Sequence, residues 1–289
     1  MSFRTLAAAG LGLLASTALA APLNLSKEPT SLYAVTTAHE LIHVDPRDPV
    51  TVLKRLPLSG LAAGETLRGI DYRVARGVLY ALGSGGQLYT VDTASGALTP
   101  VGNGQLPVAL PKGRFGFDFN PAADRIRVVA GNFNLRLHPD TGAAVDYAAD
   151  RDGFQPDGVL AYAGDDAHAG QTPNIVAAGY TYNADNAKLT TNYAIDAAHG
   201  TLVMQGSPEG QQPVVSPNTG VLRTVGGLGL GTVVDAHLDV SDLSNTALAA
   251  IPSESGVTQL YRVDLRSGKA SVIGPIGDGG ALLGIAIEP

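Results

Sequence analysis

His39-Glu40-Leu41-Ile42-His43 spells out the H-E-x-x-H pattern of zinc hydrolases. That pattern works when a helix sets both histidines on one face and holds the glutamate ready as a base. Here Leu41 to Val44 falls in register with Leu88 to Val91, an alternating strand, and His39 and Glu40 sit in the turn before it. Pro46 follows closely. Without a helix the two histidines cannot share a metal, so zinc-protease chemistry is not expected.

Two other groups have better spacing. When the first strands of the chain's repeats are aligned, Asp71, Asp118, Thr181, Asp239 and Ala286 take one position, with mostly apolar neighbours. Asp71, Asp118 and Asp239 would then point at a common axis. Carboxylates without amines nearby would suit a hard cation such as Ca²⁺, the candidate cofactor, while the cofactor itself stays unassigned. The competing reading is structural: each Asp caps a turn or accepts N–H bonds within its own repeat, and recurrence favours it. The other group is Arg125, Arg127 and Arg136. Arg125 and Arg127 share one strand face by the period of two, and Arg136 lies on the adjacent strand. With Asp118 these arginines form the candidate ligand-binding set, able to clamp a carboxylate or phosphate. The structural alternative pairs them with Asp118 and Asp124 to brace the sheet.

Other polar residues read as architecture. Asp45, Asp92, Asp196 and Asp264 end strands before small-residue turns and are expected to form Asx-turns. Asp146, Asp150, Asp152, Asp157, Asp165 and Asp166 crowd one insertion, read as a solvated acidic loop because the bidentate Glu of a calcium loop is missing. There is no G-x-S-x-G elbow, and Gly226 to Gly231 lacks the Lys-Ser/Thr of a phosphate loop. His138, His168, His199 and His237 are scattered among turns.

The elements that must position these groups are short strands. Gln87 to Leu98 reads strand, turn, strand, and Gln259 to Ala270 repeats it, with weaker copies at 41–45, 135–142 and 192–200. Four short runs separated by Gly, Ser, Asn or Asp make one unit, which is the composition of a propeller blade. Leu282 to Ile287 matches a first strand with nothing after it, and the chain from Ser31 supplies second to fourth strands without a first. Joining the two ends yields an all-β, five-bladed β-propeller closed by its N- and C-terminal strands. Residues 148–174 and 206–220 are long insertions, and six blades is the alternative.

The chain has 289 residues, 45% of them apolar, and a formal net charge of −7. An acidic chain without a basic run argues against nucleic-acid partners. Residues 1–20 read as a secretory signal peptide: Arg4, an apolar stretch from Leu6 to Leu14, and the cleavage pattern Ala18-Leu19-Ala20. Residues 21–30 read as a flexible lead and 31–289 as one propeller domain. No apolar run reaches the ~20 residues of a membrane span. With no cysteine, disulfides and thiolate metal sites are excluded.

Leu32 to Thr37, Gly60 to Asp71, and above all Phe115-Gly116-Phe117-Asp118-Phe119-Asn120-Pro121-Ala122-Ala123-Asp124-Arg125-Ile126-Arg127-Val128-Val129 carry a resemblance. Through them, and through Asn134 to Leu137 and Pro139 to Gly142, the chain resembles a bacterial exported family known only as domain of unknown function 4394. The resemblance implies a propeller-like repeat fold and export, and brings no reaction, substrate or catalytic residue. The expectation is therefore an exported, monomeric module, periplasmic or extracellular, that binds a small anionic ligand or a protein. The alternative is a metal-dependent hydrolase or lyase with its site at the channel mouth.

Overall fold

The computed structural model describes residues 28–289. The expected signal peptide and most of the expected lead lie outside the described residues. Five small sheets follow one another around a central axis. The second blade contains β4 (Leu67–Arg73), β5 (Val78–Gly83), β6 (Leu88–Val91) and β7 (Leu98–Val101). The fifth contains β16 (His237–Val240), β17 (Ala247–Pro252), β18 (Thr258–Val263) and β19 (Ala270–Pro275). The first blade is assembled from both ends of the chain. β20 (Leu282–Ile287) pairs antiparallel with β1 (Leu32–Thr36), which is followed by β2 (Glu40–Asp45) and β3 (Asp48–Pro57). This closure gives the inner strand of each blade a neighbour on both sides and removes two sheet edges.

The two middle blades depart from four strands. The third holds β8 (Gly116–Asn120), β9 (Arg125–Ala130) and β10 (Phe133–Leu137). Its expected fourth strand, Ala143 to Tyr147, makes only an isolated bridge between Leu137 and Ala144. The chain leaves the edge because Asp146 Oδ1 accepts the Ala148 N–H at 2.9 Å and bends the backbone away. The fourth blade holds β12 (Ile175–Tyr180), β13 (Asn192–Asp196), β14 (Thr201–Gln205) and β15 (Val221–Gly227). The insertion 148–174 adds β11 (Ala161–Tyr162) parallel to β15 at the outer edge. The insertions build no sixth sheet, so the blade count is five.

Five apolar clusters fill the joints between blades. Leu238 and Val240 pack with Val176 and Ile195, Phe117 and Ile126 with Tyr80 and Leu88, and Ile285 and Leu32 with Leu248 and Leu260. Strands that bury both faces read as near-continuous apolar runs, as in Ile175–Tyr180, where every residue is buried. The Asx-turns form as expected: Asp92 Oδ1 accepts the Ala94 N–H and Asp264 Oδ1 the Arg266 N–H, both at 2.8 Å.

At one level the inner strands of several blades come so close to the next blade that no side chain fits. A methyl group on Gly116 would lie 2.5 Å from the backbone nitrogen of Ala178, and one on Gly284 2.9 Å from that of Ile70. In blade five His237 occupies this level, buried, with Nε2 3.1 Å from the Leu282 carbonyl oxygen. Burial lowers its pKa. Gly116→Ala is accordingly expected to destabilise the protein by about 1–3 kcal/mol through backbone overpacking. Gly227→Ala, at a position with nothing within 4 Å, should stay within about 0.5 kcal/mol of wild type. Denaturant midpoints of the two variants measure the difference.

Candidate cation cup and arginine pocket at the channel mouth

Asp71, Asp118 and Asp239 lie on the inner strands β4, β8 and β16. Each contributes a carboxylate oxygen to a group whose members all lie within 4.8 Å of one another. All three residues are buried. Their second role is mechanical. Asp71 Oδ2 accepts the Phe119 N–H at 2.7 Å, Asp118 Oδ1 the Tyr180 N–H at 2.9 Å, and Asp239 Oδ2 the Ile287 N–H at 2.5 Å. Each carboxylate thus binds the inner strand of the next blade, and Asp239 also accepts the Val240 N–H of its own strand through Oδ1. The expectation of bonds confined to one repeat is corrected accordingly.

This pattern also corrects the alignment. Phe119 follows Asp118 and Ile287 follows Ala286, so Tyr180, the donor to Asp118, marks Gly179 as the fourth blade's equivalent. Thr181 instead accepts the Thr191 N–H at 2.8 Å within its own blade. The ring is therefore Asp71, Asp118, Gly179, Asp239 and Ala286. The two positions without polar side chains leave space beside the carboxylates.

That space is a cavity of about 220 Å³, lined among others by the three aspartates, Asp242, Tyr72 and Tyr180. Further along the axis Ile70, Phe117, Leu238 and Ile285 border a void of only 10 Å³, so the cavity is a blind cup. Among the described residues, no Lys, Arg or His forms an ion pair with these four aspartates. Arg73, on the cup wall, is spent on Asp124 and Asp140. Burial, then the neighbouring negative charges, hold Asp71 and Asp118 well above the usual carboxylate range. Burial pushes Asp239 up to about 6, and burial with the charge of Asp239 pushes Asp242 up to about 7. Four crowded carboxyl groups can be stabilised here by protons or by a cation. The oxygen-only donor set suits a hard divalent ion.

The arginines occupy a separate pocket behind Tyr180. Asp118, Arg127 and Arg136 are register partners across β8, β9 and β10, and Arg125 stands opposite Asn120. Two guanidinium groups directly opposite each other repel. The counter-charge is Asp157, delivered by the acidic insertion. Arg127 Nη1 donates to Asp157 Oδ2, and Arg136 donates through Nε and Nη2, both at 2.8 Å. Asp157 is fully buried, unlike the solvated loop expected of its neighbours. Arg127 also donates to Tyr180 Oη at 3.1 Å, Asn134 Oδ1 at 2.7 Å and Asn218 Oδ1 at 2.6 Å. Arg127 and Arg136 thus brace the blade through Asp157. Neither Asp118 nor Asp124 is their ion-pair partner, because Asp118 faces the cup and Asp124 is held by Arg73.

His39 and His43 are kept apart. Along a strand, four residues span ~13 Å. Glu40 pairs with Arg55, and His43 stacks on Tyr33 at 4.7 Å between centroids, with Nε2 2.7 Å from Ser31 Oγ. On the other side of the molecule, His168 and His199 converge at 4.1 Å between centroids, and His199 Nδ1 lies 2.8 Å from Asp196 Oδ2. Their separation of 31 positions in the chain carries no motif, so only the fold brings them together.

The family model described as a domain of unknown function (DUF4394) matches residues 40–286. The chain belongs to this family. No curated protein matches it in sequence. Solved structures similar to it include the following three. A nidogen/laminin complex is 14% identical with a TM-score of 0.46, over 90% of this chain and 98% of that one. TolB from Acinetobacter baumannii is 8% identical with a TM-score of 0.41, over 85% of this chain and 52% of that one. The dihydro-heme d1 dehydrogenase NirN in complex with DHE is 14% identical with a TM-score of 0.36, over 86% of this chain and 44% of that one.

The cup sets a pH dependence. Groups whose folded pKa is raised bind more protons in the native than in the unfolded state, so stability falls as pH rises through the interval between the two values. For Asp239 and Asp242 that interval runs from the ordinary ~4 to about 6 and about 7. Without divalent cations, stability should decline from pH 4.5 to 7 by up to about 1.4 kcal/mol per pH unit for each proton held. Asp239→Asn should flatten that decline in denaturant titrations across the range.

Proposed function

We propose that this member of the family is an exported, ligand-binding β-propeller whose axial cup holds a divalent cation, Ca²⁺ first among the candidates. The observation that carries this reading is the convergence of three buried carboxylates, without any cationic partner among the described residues, on a cavity large enough for an ion and part of a ligand. Ca²⁺ takes oxygen donors at about 2.3–2.6 Å, so donors on opposite sides of it stand about 4.6–5.2 Å apart. The 4.8 Å limit on the carboxylate cluster is compatible with that shell. Asp71, Asp118 and Asp239 would supply three ligands, and water or a bound molecule the rest. Localisation in the periplasm or outside the cell rests on the signal-like residues 1–20.

A second reading, a metal-dependent hydrolase or lyase, is favoured by Asp242. Its carboxyl group, at about 7, borders the same cup and is suited to take a proton near neutral pH.

The test is thermal denaturation of chelator-dialysed protein titrated with Ca²⁺. A ligand that binds only the native state adds roughly 2.7 kcal/mol at a hundredfold excess over its Kd. Wild type should show a saturable rise in Tm. Asp118→Asn keeps an acceptor for the Tyr180 N–H while removing the charge, so it should fold and lose most of the rise. An equal response in both proteins, or none in wild type, would rule the cup out as a Ca²⁺ site.

A further inference from the structure

We propose that the pocket between blades three and four is an anion-binding subsite that takes a small oxyanion, a carboxylate or phosphate, on Arg125 and Arg136. It is a cavity of about 160 Å³ lined by Arg125, Arg127, Arg136, Asn120, Tyr180 and Asn218, among others. Three guanidinium groups border it, and among the described residues Asp157 is the one carboxylate bound to them. That carboxylate is already saturated: Oδ1 accepts two N–H bonds from Arg136, and Oδ2 one each from Arg127 and Arg136. The pocket therefore carries an excess of two positive charges.

The free donors are on the side chains that face the cavity. Arg125 donates through Nη1 to the Asp124 carbonyl oxygen at 2.8 Å, and its Nε and Nη2 have no partner among the described residues. Arg136 spends Nε and Nη2 on Asp157, and its Nη1 has no partner among the described residues. Arg127, only 1% exposed, is locked by Tyr180, Asn134, Asp157 and Asn218 and supplies charge from the wall. Two guanidinium groups with open N–H edges, one of them held rigidly by a bidentate carboxylate, are pre-organised for an oxyanion, which accepts several charge-assisted bonds at once. The cavity's size selects a small group over a folded partner.

The subsite does not require the cation cup, although the two adjoin. Tyr180 separates them, its backbone N–H donating to Asp118 and its hydroxyl accepting from Arg127.

The experiment is thermal denaturation of chelator-treated protein titrated separately with inorganic phosphate and with malonate, at constant ionic strength against chloride. At least one of the two should raise Tm saturably beyond chloride, and which one does identifies the oxyanion class. Arg125→Ala removes only a bond to a backbone carbonyl, so it should fold and bind at least about tenfold more weakly. Arg136→Lys keeps a charge for Asp157 but loses the planar donor edge, and should also weaken binding. No stabilisation beyond chloride by either anion, or unchanged affinity in both variants, would overturn the proposal. Because no divalent ion is present, a negative result here is distinct from failure of the Ca²⁺ site.

Discussion

The structure depends on the bonds by which an aspartate on one inner strand holds the backbone of the next. A propeller must close on itself, and the joints between blades are otherwise apolar and non-directional. At three of the five joints, Asp71, Asp118 and Asp239 fix the height of one inner strand against its neighbour through a single N–H bond. The close approach of Gly69 to Phe117 and of Gly116 to Ala178 lets β4, β8 and β12 come within reach of these bonds. Closure also brings the carboxylates onto one another. The geometry that joins the blades is the geometry that makes a cation site, and the raised pKa values are its electrostatic consequence.

Two compartments of opposite charge follow from this arrangement. Among the described residues, the cup holds four aspartates without a cationic partner, and the pocket behind Tyr180 holds three arginines with one carboxylate. Asp118 and Arg127 are cross-strand partners, yet they serve different compartments, because Asp118 is drawn to the Tyr180 amide and Arg127 to Asp157. Direct pairing would neutralise both. Breaking up a buried charge network of this kind by removing Asp157 would strand two guanidinium groups, which in buried pairs costs about 3–5 kcal/mol.

Strand alternation and turn residues made nearly all of the fold legible in the sequence, including closure through Leu282 to Ile287. These signals are local, and each repeat reinforced the others. Asp71, Asp118 and Asp239 were legible as a set because they share a place in the repeat. Thr181 was misplaced because Gly-x-Thr-Tyr mimics Gly-x-Asp-Phe, while the true register is set by which amide reaches Asp118. The pairing of Arg127 and Arg136 was not legible either. Their partner, Asp157, lies in an insertion outside the repeat and could not be told from its acidic neighbours. Nothing in spacing linked His168 to His199, or Arg73 to Asp124 and Asp140, since those contacts join different blades or distant loops.

The central claim is that the axial carboxylates exchange protons for a shared cation. Its most direct test is isothermal titration calorimetry of Ca²⁺ binding at pH 6.5 in two buffers of different ionisation enthalpy. Metal binding to carboxyl groups that are partly protonated must release protons, so the apparent heats should differ between buffers. The difference should shrink in Asp239→Asn, Asp242→Asn protein, where only Asp71 and Asp118 remain to release protons. Identical heats in both buffers, or no binding heat at all, would contradict a cation held by these aspartates.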